Sequence, residues 1–155
     1  MDVKTICITL ISAMLGSVGF AILFYTKPKR LPWAALGGLL TCAVYLLFRH
    51  WAGGELIPNL VAAFVGSVFS EVTARLTKAP VPVYLVPCTI PLVPGGMLYE
   101  TMSRFVGGAY AQAGRYGLLA LEVAVGIAAG IIAASVFGLF LRYVLSGPSK
   151  HTSSP

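Results

Sequence analysis

Long apolar runs separated by short clusters of charge, proline and glycine make up most of this chain. The first run, Thr5 to Tyr25, is about 21 residues long and reaches across a hydrocarbon core of roughly 30 Å as a helix. It is too long for the apolar region of a signal peptide, Asp2 offsets Lys4, and no small-x-small site closes it, so a retained helix is expected. It stops at Thr26-Lys27-Pro28-Lys29-Arg30. A second run, Leu31 to Phe48, has Pro32 at a tolerated first-turn position and ends at Arg49-His50-Trp51. The turn from Trp51 to Glu55 has the tryptophan expected at headgroup level. A third run spans about Ile57 to Leu76 and carries Glu71 and Arg75 inside it.

The pattern then changes. Pro80, Pro82, Pro87, Pro91 and Pro94 are half of the chain's 10 prolines, and Gly95-Gly96 follows directly. Each interior proline removes a backbone hydrogen bond and clashes with the preceding turn. At membrane depth the freed carbonyls survive only against other helices or a water-filled cavity. A fourth span over 83–106 is therefore expected to be kinked or unwound at Pro91–Gly96. Gly107 to Gly114 reads as a connector, and the last run covers Tyr116 to Leu145. In it Gly126, Gly130, Ala134 and Gly138 recur every four residues, the spacing that lets helix backbones approach closely. The expected architecture is an all-α integral membrane protein: one membrane domain, 1–145, with spans near 5–25, 31–48, 57–76, 83–106 and 116–145. Residues 146–155 form a polar tail expected to be disordered.

Composition agrees. Apolar residues are 57% of the chain and charged residues 10%, against about 25% charged in soluble domains. The net charge of +6 comes from clusters between apolar runs, which is loop decoration and argues against nucleic-acid binding. Cys7, Cys42 and Cys88 are far apart within apolar segments and read as packing residues, with no disulfide framework. His50 and His151 have no partners at ligand spacing, so neither a metal site nor a cofactor is expected. With five spans, Lys27, Lys29, Arg30, Arg75, Lys78, Arg142 and Lys150 share one side, and Lys4, Arg49, Arg104 and Arg115 the other. The positive-inside rule then puts the N-terminus outside the cell membrane and the C-terminus in the cytoplasm.

Among the five acids, Asp2 and Glu55 read as ordinary loop charges. Glu71 lies one turn before Arg75 on the same face, with Asn59, Ser67 and Ser70 on the same helix. A carboxylate there suggests a substrate-binding or proton-carrying site, or a structural ion pair near the interface. Glu122 heads the small-residue stripe and faces another helix, as a proton carrier or arginine partner, or sits at the interface. Glu100 and Arg104 are four apart and suited to pairing. The Pro91–Gly96 backbone can display carbonyls and amides to a solute, as broken helices do in transporters and filters, or can be a packing kink. There is no G-x-S-x-G, H-E-x-x-H or G-x-x-x-x-G-K, so catalysis is not expected.

Two blocks carry a resemblance. Ser70-Glu71-Val72-Thr73-Ala74-Arg75-Leu76-Thr77-Lys78-Ala79-Pro80 resembles the acid–Arg–basic–Pro signature of the threonine/serine exporter family. Val86-Pro87-Cys88-Thr89-Ile90-Pro91-Leu92-Val93-Pro94-Gly95-Gly96-Met97-Leu98-Tyr99 resembles its I-P-L-V-P-G-G block. The resemblance extends over nearly the whole chain and implies the small membrane subunit of a split exporter. It implies a larger partner subunit with a soluble N-terminal domain, and export of threonine and serine, or of a dicarboxylate such as succinate, driven by protons. The matched residues are Glu71, Arg75, Pro80, Pro91, Pro94, Gly95 and Tyr99. The full set of candidates for substrate or proton contact is Glu71, Arg75, Pro91, Pro94, Gly95, Gly96, Tyr99, Glu122 and Asn59. The alternatives are a non-transporting assembly or regulatory subunit and a self-assembling channel, so oligomerisation is also open.

Overall fold

A computed structural model describes residues 3–146, and every regular element among them is helical. The helices are α1 (Val3–Leu23), α2 (Leu31–Arg49), α3 (Leu56–Leu76), α4 (Pro82–Thr89), α5 (Gly95–Val106) and α6 (Tyr110–Ser146). Short 3-10 turns at Pro28–Arg30 and Ile90–Leu92 lead into α2 and continue α4. Beyond Ser146, the polar tail lies outside the described residues.

The packing is that of a membrane bundle. Most buried side chains are small, among them Ala21, Ala34, Ala62, Ala63, Ser17, Thr41, Ser70 and Thr73. Large apolar residues such as Ile8, Leu15, Leu47, Leu118, Ile132 and Phe140 are exposed. In water this distribution would leave apolar surface open; in lipid, small residues let helices meet while large ones face the acyl chains. Four helices are long and apolar enough to cross a membrane, or up to five if the α4–α5 pair counts as one bent span.

Local chemistry sets the helix ends. α1, α3 and α5 each close with a paired 6→1 and 5→2 hydrogen-bond motif: Thr26 N to Ala21 O, Ala79 N to Ala74 O, and Ala109 N to Arg104 O are the 6→1 bonds. The left-handed residues these motifs require are Tyr25 (φ 53°), Lys78 (φ 49°) and Gly108 (φ 78°). In α4, Pro82 occupies the first turn and Pro87 the interior. Val93 precedes Pro94 and is pushed into extended backbone (ψ 127°), ending the 3-10 turn. α5 restarts at Gly95, bent by 51° from the segment before it. The break expected at Pro91–Gly96 is therefore present.

One boundary differs from expectation. The stretch 107–114 is not a full connector, because α6 starts at Tyr110 and runs through Gly114. A helix tolerates a single glycine at about 1 kcal/mol, and contacts with α5 hold this turn in place. Phe105 packs edge-on against Tyr110 with ring centroids 5.3 Å apart. Arg104 lies over the Tyr116 ring at 4.9 Å and hydrogen-bonds Gln112.

The α3–α6 interface organises the rest. The Glu122 carboxylate meets the Glu55 amide across a separation of 67 residues. A Cβ on Gly126 would fall 3.3 Å from the Asn59 Cβ, and one on Gly130 would fall 2.9 Å from the Ala63 Cβ. Gly138 lies against Glu71. The offset is the same at each step, so α3 and α6 run parallel and in register. Ala134, 1% exposed, occupies the register position of Ser67. At 37 residues α6 is about 55 Å long, well beyond a ~30 Å hydrocarbon core. Its first turns extend past the start of α3 and pair antiparallel with α5.

Candidate functional site

Six of the nine candidate residues line two cavities at opposite ends of α3. At its C-terminal end, the Glu71 carboxylate pairs with Arg75 Nη2 at 3.2 Å. The side chains are 22% and 49% exposed. They line a cavity of about 400 Å³ with Ala79, Val81, Ser135 and Gly138. The glycine at 138 makes room: a Cβ there would sit 2.9 Å from Glu71 Oε1. Arg30 donates from its guanidinium to the Thr77 carbonyl at 3.3 Å, and the Tyr84 hydroxyl donates to Thr77 Oγ1 at 2.9 Å. The first and third loops therefore lie at the same end of the bundle.

The second cavity, about 230 Å³, lies at the break. Tyr45, Glu55, Asn59, Pro91, Pro94 and Gly96 contribute to its wall. Asn59 is only 2% exposed, and its amide donates to the Glu55 carbonyl at 2.7 Å. From Asn59 to Glu71 the rise along α3 is about 18 Å, too far for one small solute to touch both. Pro91, Pro94, Gly96 and Asn59 thus come together, while Glu71 and Arg75 form a separate group. Gly95 and Tyr99 are exposed; Tyr99, at 71%, does not line the break cavity.

Glu122 pairs with backbone. Its Oε1 accepts from the Glu55 and Leu56 amides at 3.2 and 3.1 Å. These amides at the start of α3 have no intrahelical partner, and a carboxylate there also complements the helix dipole. Glu100 and Arg104 do pair, at 3.0 Å.

Sequence reasoning passed over a polar group beside the break. Glu55, read as a loop charge, accepts the Tyr45 hydroxyl at 2.9 Å and lies 3.4 Å from Arg49 Nη2. Arg49 also donates to the Tyr45 hydroxyl at 2.8 Å. The available signal was the i,i+4 spacing of Tyr45 and Arg49 before a short turn. The acid's inward placement depends on how α2 and α3 meet, which spacing does not reveal. Cys42 and Cys88 are buried and free, Cys88 lying against Gly37, and Cys7 is exposed. Among the described residues no cluster of three or more His, Cys, Asp or Glu could hold a metal ion.

The family model described as Threonine/Serine exporter, ThrE, matches residues 9–137. Neither a curated protein nor a solved structure matches the chain. The match covers most of the sequence and includes both signature blocks, the Glu71–Arg75 pair and the proline break, set in a bundle of apolar helices. This multi-pass membrane chain belongs to the threonine/serine exporter family.

Proposed function

We propose that the chain is the small membrane subunit of a two-component, proton-coupled exporter of small polar metabolites. The Glu71–Arg75 pair carries this reading. It is an acid–base pair within a spanning helix, half open to a cavity instead of sealed in the bundle. A carboxylate in the last third of a spanning helix is costly to insert and is normally tied to a partner charge, a solute or a proton path. Arg75 holds the Glu71 carboxylate in place, and a proton arriving at Glu71 would release it. In this reading Glu71 carries the proton and the break, roughly 18 Å away, contacts the solute. Glu122, engaged with the α3 amides, positions that helix.

A larger partner subunit would cover the open side of the Glu71 cavity, where lipid alone would meet an arginine 49% exposed. The parallel course of α3 and α6 supports their assignment as third and fifth spans. Loop charges then place the Glu71 end in the cytoplasm and the break toward the outside.

The test uses cells expressing this chain with its larger partner. Glu71→Gln should abolish threonine or succinate export while the two subunits still co-purify. Unchanged export would remove Glu71 from the mechanism. Labelling of Lys29 by an impermeant reagent from outside intact cells would overturn the orientation.

A further inference from the structure

We infer that the pocket between the end of α5 and the start of α6 binds the phosphodiester headgroup of an anionic phospholipid. It lies apart from both cavities on α3 and does not depend on the exporter reading.

Arg104, Gln112, Arg115, Tyr116 and Leu119 line this cavity of about 440 Å³. Two of them are arginines and none is an acid. Arg104 is held in place from three directions. Its Nε donates to Glu100 at 3.0 Å, its Nη1 donates to Gln112 Oε1, and its guanidinium lies 4.9 Å from the centre of the Tyr116 ring. Gln112 spends its oxygen on Arg104 and keeps its NH2 donors. Arg115 is exposed and forms no ion pair among the described residues. Glu100 offsets one of the two arginines, so one positive charge is left in excess. Planar guanidinium forks suit a phosphate, which accepts two parallel hydrogen bonds from each.

Depth selects a lipid as the source of that phosphate. α3 has 21 residues and is about 31 Å long, matching a ~30 Å hydrocarbon core. Its first amides are marked on α6 by Glu122. Leu119 and Arg115 come three and seven residues before Glu122, so the pocket occupies about 5–10 Å beyond the start of α3. The headgroup layer adds about 5–8 Å on each side of the core. On the core side of Arg115, Leu118, Leu121 and Val125 are exposed at i, i+3, i+7 spacing. They form an apolar path along α6 for an acyl chain. A free phosphate would use the arginines and leave that path empty. A choline headgroup would bring a second cation against Arg115, which favours a lipid of net negative charge.

The test measures lipid bound to the full chain, purified in non-ionic detergent, by native mass spectrometry. Phosphatidylglycerol should bind at least about fivefold more tightly than phosphatidylcholine or diacylglycerol. Arg115→Gln should abolish that preference without loss of helix content, since Arg115 has no ion pair to lose. Arg115→Lys keeps the charge but not the fork and should restore part of it. Lys29→Gln, in the loop at the opposite end of the bundle, should keep it in full. Equal binding of phosphatidylglycerol and phosphatidylcholine would overturn the site. So would a preference retained in full by Arg115→Gln, or one lost in Lys29→Gln alone. Glycerol 3-phosphate displacing phosphatidylglycerol at equal concentration would make the ligand a soluble phosphate ester and overturn the lipid assignment.

Discussion

Glu71 and Gly138 compete for the same space: a Cβ on residue 138 would meet the Glu71 carboxyl carbon at 3.0 Å. The last glycine of the α6 stripe therefore accommodates a side chain, where those before it accommodate backbone.

Gly138→Ala should consequently disturb function more than fold. The atoms it meets are the far end of a flexible side chain, which can swing aside at a cost below about 1 kcal/mol. The swing moves Glu71 relative to Arg75. Export should drop severalfold while the thermal midpoint of the complex shifts little. Unchanged export would show that the pair's geometry does not matter.

Gly130→Ala should do the reverse. Its Cβ would meet the Leu60 carbonyl and fall 2.9 Å from the Phe64 amide. Backbone cannot swing away, so α3 and α6 must separate, at about 1–3 kcal/mol. Unfolding in mixed detergent micelles measures this, and a midpoint equal to that of the unmodified chain would contradict the close approach.

Glu122→Ala leaves the Glu55 and Leu56 amides without their acceptor. The expected loss is about 1–3 kcal/mol. Glu122→Gln keeps an acceptor oxygen and should lose much less. Equal losses in the two variants would show that the charge, and not the hydrogen bonds, holds α3.

Pro94→Ala restores a backbone donor at the break. The 51° bend between the α4 segment and α5 should relax, and spin labels at Val83 and Met102 should move apart. An unchanged distance would place the cause of the bend in tertiary packing.

Much of this protein is legible in its residue order because the physics involved is local. Apolar runs of spanning length have no stable place but a membrane, and prolines spaced as in Pro87, Pro91 and Pro94 cannot form one regular helix. The Gly126–Gly138 spacing announces a close helix contact for the same reason. Where local signals conflicted, tertiary contacts decided: the glycines at 107, 108 and 114 suggested a longer connector, yet Arg104 and Phe105 hold the chain helical from Tyr110.

The sequence by itself therefore determined the solvent, the helices, the break and the family, since each depends on residues near one another along the chain. Only the tertiary structure decided the register of α3 against α6. That register pairs Glu122 with the α3 amides and Glu71 with Gly138. The meeting of α3 with the break and with the third loop puts Asn59 and Glu71, about 18 Å apart along α3, in separate cavities. Glu55 shows why: it becomes part of a cavity wall through the meeting of Tyr45, Asn59 and Pro91 from three separate segments. No spacing rule along a single segment encodes that meeting.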